Sequence, residues 1–169
     1  MKFGKSISAV AAGLTAIGIA GFGSSGAQAA SVNGTANATI VQAIGISAVN
    51  TLEFGDILNG AANTVTVSTA GARSATDNTQ LIGGTVQAAS FNITGDGNRA
   101  YTITLPADGV VTLTGPGPAM AVNGFNHDAG ATPALTAGAD SFNVGADLVV
   151  ANGQTAGAYT GSFTVTVNY

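Results

Sequence analysis

From Tyr159 to Tyr169 the chain alternates without a break. Tyr159, Gly161, Phe163, Val165, Val167 and Tyr169 fall on one face, and Thr160, Ser162, Thr164, Thr166 and Asn168 fall on the other. A period of two with an apolar face and a hydroxyl or amide face is the mark of a half-buried β-strand. A second run repeats the pattern near the other end, where Val32, Gly34, Ala36, Ala38 and Ile40 alternate with Ser31, Asn33, Thr35, Asn37 and Thr39. Terminal segments usually fray, so strand patterns at both ends point to an assembly that works through its termini.

The first residues belong to a different kind of segment. Lys2 and Lys5 precede an apolar stretch from Ile7 to Phe22, and Ala27-Gln28-Ala29 offers an A-x-A cleavage site, the pattern of a secretory signal peptide. The stretch is short for a membrane span and is broken by Gly13, Gly18 and Gly21. The expected organisation is a signal peptide over 1–29, an N-terminal segment over 30–49 that runs into the first strand, and a β-sandwich domain over 50–169. The expected location is the periplasm, then the cell surface or the medium. Cleavage after Ala29 leaves 140 of the 169 residues, enough for one domain with a real core.

Beyond Ala29 the only basic residues are Arg73 and Arg99, against Glu53 and seven aspartates, for a net charge of −6. Phosphate recognition needs clustered Lys or Arg, so nucleic acid is excluded as a partner. An anionic membrane surface is excluded for the same reason, and no later apolar stretch is long enough for membrane insertion. The chain has no cysteine, which rules out thiol catalysis, thiolate metal sites and disulfides. Stability must come from strand pairing and core packing.

No window after the signal segment places apolar residues at helical spacing over three turns. Strand signals recur instead, at Ile40–Ala48, Thr51–Phe54, Val65/Val67, Tyr101/Ile103/Leu105, Val111/Leu113, Met120/Val122 and Leu148/Val150. Val86 and Ala88 switch face before Phe91 and Ile93, which predicts a β-bulge at Ala89-Ser90. Asn59-Gly60, Asp96-Gly97, Asp108-Gly109, Asn123-Gly124 and Asn152-Gly153 are turn pairs that tolerate positive φ. Thr94–Asn98 reads as a hairpin between two strands, and 125–146, rich in Ala, Gly and Asp, reads as the long loop. Many short strands with turns every 8 to 12 residues predict an all-β, immunoglobulin-like antiparallel β-sandwich. Its core is expected from Phe54, Phe91, Ile93, Tyr101, Ile103, Leu105, Val165 and Val167, with Phe163 close by.

Constellations for chemistry are sparse. His127 is the only histidine, with Asp128 beside it and Ser141 the nearest hydroxyl near an acid, but a triad is a matter of geometry that nothing here enforces. Glu53 and Asp56 flank Phe54-Gly55 at a strand end, where an acid more often caps a turn than works in a glycosidase pair. Gly95-Asp96-Gly97-Asn98 lacks the carboxylate spacing of an EF-hand loop. No catalytic residue, cofactor or metal is expected, and the protein is expected not to be an enzyme. Unpaired strand edges, by contrast, take up further strands. The run Val32, Gly34, Ala36, Ala38, Ile40 has the form of such a donor: small or apolar side chains on one face over about 30 Å.

A resemblance adds to these observations. Leu52–Ile57, Phe91–Gly95, Tyr101–Pro106, Val144–Leu148 and Gly157–Tyr169 are similar, in consistent order, to the domain-of-unknown-function 4402 family of exported bacterial proteins. More distantly they resemble archaic chaperone–usher pilins of the spore coat U type. The pilin resemblance implies an incomplete immunoglobulin-like fold whose groove is filled by the N-terminal strand of the next subunit. The partners so implied are copies of the chain or related subunits, a periplasmic chaperone and an outer-membrane usher. The chain departs from those pilins in having no cysteine and in placing Tyr169 last where classical pilins have a penultimate tyrosine. The expected function is therefore a structural, pilin-like subunit of a surface fimbrium. The alternative is a self-completed monomer, a secreted or surface glycan-binding adhesin, for which Phe125 and Phe142 are the aromatic rings not claimed by the core.

Overall fold

The computed structural model describes residues 28–169. The signal-peptide assignment therefore falls almost wholly outside the described residues. The chain divides into two compact units, Met1–Ala38 and Thr39–Tyr169. In the first, the described residues carry no secondary structure and are exposed; Val32 is 94% exposed, and a Cβ at Gly34 would meet nothing within 4 Å.

The second unit is all β, with no α-helix among the described residues and one short 3-10 turn at Asn78–Gln80. Its strands are β1 (Gly45–Asn50), β2 (Glu53–Ile57), β3 (Asn63–Val67), β4 (Arg73–Ala75), β5 (Leu81–Gln87), β6 (Ala89–Thr94), β7 (Thr102–Thr104), β8 (Val111–Leu113), β9 (Met120–His127), β10 (Ala139–Val150) and β11 (Thr166–Asn168). All pairings are antiparallel. Seven strands form one sheet, and β2–β5 and β7–β11 form two separate pairs.

The long strand β10 organises the unit. Val144 pairs with both Ala89 of β6 and His127 of β9, and Leu148 pairs with both Val65 of β3 and Val122 of β9. One edge of β10 thus carries β9 throughout, while the other carries β6 and then β3. A strand whose neighbour changes midway bends its sheet, and the result is a curled half-barrel. The even-numbered side chains Phe142, Val144, Ala146, Leu148 and Val150 all point into the core, as a period of two demands.

The core has two parts along this strand. Ala89, Ile93, Tyr101, Leu135, Phe142, Val144 and Val167 form one, with Phe91, Ile103, Leu105, Phe163 and Val165 packed against it. Phe54, Val65, Val67, Val111, Met120, Val122, Ala146, Leu148 and Val150 form the other. All nine residues expected in or beside the core therefore contribute, five of them as partly buried neighbours. The first part is closed over by β7–β11. It also holds Tyr101, 3% exposed, whose hydroxyl donates to Asp140 Oδ2 at 2.8 Å.

Burial above all, then the hydrogen bond and the negative charge of Asp140, push the Tyr101 phenol well above its usual range. Its folded value lies above the unfolded value of about 10. The contribution to stability is thus fully present below that pH and is lost as pH rises through the folded value. Ultraviolet titration should show one tyrosine of the folded protein ionising only as the domain unfolds in alkali. That step should vanish in Tyr101→Phe; its persistence there would refute the assignment.

Four local expectations need correction. Residues 125–146 are not a long loop: they hold the end of β9 and the first half of β10, and Phe142 is 2% exposed. Thr94–Asn98 is not a hairpin, because β6 pairs with β1 and β10 whereas β7 pairs with β11, so the turn carries the chain from one sheet to another. The first strand begins at Gly45, not Ile40. The continuous strand read over 159–169 pairs as a ladder only at Thr166–Asn168, with one bridge from Thr160 to Thr114. The expected bulge is present as a register shift between Ala48 and Asn50, across from Phe91 and Ser90.

Candidate functional site

Two contacts set the margins of the half-barrel. At one, Thr114 and Thr160 exchange backbone hydrogen bonds of 2.8 and 2.9 Å, laying the chain after Tyr159 along β8. Gly161 sits so close there that an added Cβ would strike the Thr112 carbonyl and the Leu113 side chain, and only glycine fits. At the other margin, Arg73 of β4 donates through Nη1 to the Phe54 carbonyl at 2.8 Å and the Asp56 carbonyl at 3.3 Å, holding β2 at its bulge.

Between these margins lies an open apolar groove of about 930 Å³. Its walls run along 50–59 and 154–163, and its floor includes Leu113, Met120, Phe125 and Leu148. Strands rise about 3.3 Å per residue, lie about 4.8 Å apart and occupy layers about 10 Å thick, roughly 160 Å³ per residue. The groove is therefore the size of about six residues of one added strand. At its mouth, Gln154 donates through Nε2 to the Pro118 carbonyl and to Tyr159 Oη at 2.9 Å, and the Tyr159 hydroxyl donates to the Thr155 carbonyl.

The wall nearest β8 has unused backbone. Among the described residues no strand pairing and no backbone hydrogen bond reaches 161–164, although Phe163 still points inward against Phe125 and Phe91, at ring-centroid distances of 5.0 and 6.3 Å. A second depression of about 320 Å³, lined by Leu105, Pro106 and Val110, flanks the same residues. The segment has the side-chain period of a strand and, for four residues, no partner. Buried or half-buried amide groups left so are costly, on the order of 1–3 kcal/mol each.

Of the residues singled out in the sequence, Tyr159, Gly161 and Phe163 line the groove, while Val165 and Val167 pack into the closed part of the core and Tyr169 lies beyond it. Val32, Gly34, Ala36, Ala38 and Ile40 are exposed, Ile40 to 93%. Glu53 and Asp56 both stand on the groove wall; Glu53 accepts the Thr51 hydroxyl at 2.9 Å. His127 lies edge-on to Phe142 at 5.9 Å, with Nδ1 buried and unpartnered among the described residues. Asp128 is occupied with the Asn143 backbone and side-chain amides at 2.7 and 2.9 Å rather than with His127. Phe142, expected as a spare ring, is buried, and Phe125 is half-buried against Phe163. Among the described residues no three His, Cys, Asp or Glu side chains gather closely enough to hold a metal ion.

The floor residues Leu113, Met120, Val122 and Leu148 were legible as strand positions but not as parts of a site. Nothing in a strand pattern tells whether the layer facing it is complete.

Fold and groove together define an all-β domain whose curled antiparallel sheet leaves one apolar margin open. The chain belongs to the family described as Domain of unknown function (DUF4402), whose model matches residues 44–169. The match takes in the strands and the groove and leaves out the alternating segment over 31–40. No curated protein and no solved structure matches the chain.

Proposed function

We propose that the chain is a non-catalytic, pilin-like structural subunit of a surface polymer, in which the groove of one copy receives the N-terminal segment of another. One observation carries this: a groove the size of a missing strand, bordered by four residues of unpaired backbone at 161–164. The exposed segment of alternating small and apolar residues supplies a matching occupant. Val32, Gly34, Ala36, Ala38 and Ile40 face the acceptor core, and the added strand completes the half-barrel as an immunoglobulin-like sandwich. Apolar burial contributes a few kcal/mol at about 25 cal/mol per Å², and each ladder hydrogen bond adds about 1 kcal/mol net. Export to the cell surface, with a periplasmic chaperone and an outer-membrane usher as partners, follows from the same resemblance.

The test compares the chain from Ala30 onward with one lacking 30–39, by size-exclusion with light scattering. The intact chain is expected as a ladder of oligomers, and the truncated one as a monomer that a synthetic peptide of residues 31–41 stabilises against heat. An intact chain that stays monomeric at high concentration would sink the polymer and favour the self-completed domain.

A further inference from the structure

Tyr169 makes contacts remote from the groove. Its hydroxyl accepts the Asp96 backbone N–H and donates to the Gln42 carbonyl at 3.0 Å, so both hydrogen-bonding roles of that oxygen are filled. Arg99 lies over its ring at 5.3 Å and pairs with Asp96 at 3.2 Å. The seat is shaped for the ring: a Cβ on Gly95 would overlap the hydroxyl. Four separate contacts thus gather on a side chain that is 41% exposed and belongs to neither part of the core.

The residue held is the informative part. Gln42 lies just before β1, where the N-terminal segment leaves the folded unit, beside the Thr94 end at which β10 begins. The groove is reached at the other end of β10, where Leu148 and Val150 line it. None of Gln42, Gly95, Asp96, Arg99 or Tyr169 is among its lining residues.

We propose that Tyr169 is a positioning residue: by holding Gln42 it keeps the N-terminal segment from folding back into its own groove and presents it to another copy. This rests on the proposed function and adds the residue that decides between exchange and self-completion. Chain length sets the decision. With Gln42 pinned, about eight residues are needed to run back to the level of Asn50, where the groove begins, at ~3.3 Å each. Counted from Ala30, only about four residues then remain to enter a groove that takes about six. With the pin released, the free chain extends to Ile44 and needs about five residues for the shorter return from Gly45, leaving about ten. The clasp therefore separates a segment too short to complete its own domain from one that is long enough.

Tyr169→Phe removes the hydroxyl and keeps the ring under Arg99; Gly95→Ala blocks the seat by a different route. Hydrogen exchange is measured on each protein, from Ala30 onward, as a dilute monomer. In both variants the Asp96 amide should exchange at least tenfold faster than in the wild type. The amides of 31–40 should exchange at least tenfold more slowly, because the released segment now pairs in its own groove. A purely structural lesion speeds exchange and cannot slow it elsewhere. Size-exclusion at high concentration should show oligomers of the wild type replaced by variant monomers. Equal protection of 31–40 in wild type and variants overturns the proposal, as does an unchanged Asp96 amide. A wild type that never oligomerises but has unprotected 31–40 amides, against protected ones in the variants, overturns the polymer alone and leaves the clasp standing.

Discussion

Ala36→Asp should convert the oligomer ladder of the mature chain into a folded monomer. In the proposed assembly the Ala36 methyl enters a groove floored by Leu113, Met120, Phe125 and Leu148, with no basic side chain among its lining residues. A carboxylate there loses its hydration without a partner, which costs several kcal/mol. Each 1.4 kcal/mol is a factor of ten in affinity, so association should weaken at least a hundredfold. The next residue provides the contrast. Thr35 lies on the opposite face of the alternating segment, and Thr35→Asp should change association by no more than a few fold. Sedimentation velocity on both variants reads the difference. Equal loss at the two positions would show that charge rather than face decides, and would remove the strand-donation account.

The second large effect concerns the closed half of the core. Phe142→Ala should lower the unfolding free energy by about 3–5 kcal/mol, the range for a large aromatic removed from a packed interior. Phe142 is fully enclosed between Phe91, stacked at 5.5 Å, and the edge-on His127 ring. For a unit of this size the midpoint of thermal unfolding should fall by roughly 10–20 °C. Leu113→Ala, on the open groove floor, should cost the isolated domain distinctly less, because that side chain is only partly buried before an occupant arrives. Differential scanning calorimetry of the two variants would refute the division into a closed and an open half if their losses matched.

The sequence was read well where burial follows directly from side-chain period. Val165 and Val167 turn inward and Thr164 and Thr166 outward because a strand can do nothing else with that alternation. Pairing is another matter, since it depends on what the fold brings alongside. The same pattern that forms a ladder at Thr166–Asn168 has no partner at 161–164, and nothing local distinguishes the two stretches. The misread loop had a different cause. Phe142, Val144, Ala146, Leu148 and Val150 alternate perfectly, but Asp140, Ser141, Asn143 and Gly145 among them gave the region the composition of a loop. Composition was weighted over period, and the longest strand was missed. The Asp96-Gly97 pair identified a turn correctly, yet turn chemistry does not say which sheet the next strand joins. The groove was the least legible feature, because it is a missing neighbour, and a sequence records only the strands that are present.

The sharing of one long strand by both halves of the domain has a mechanical side. In a polymer joined end to end as proposed, tension would enter where the N-terminal segment leaves at Gln42 and exit through the strand held in the groove. β10 runs along the line between those two points, with β9 bonded along one edge and β6 then β3 along the other. A pull in that direction shears these ladders, so their hydrogen bonds resist together instead of opening one after another as in a peeled hairpin. Without disulfides to hold the chain, a subunit arranged in this way would meet flow or traction with strand geometry alone.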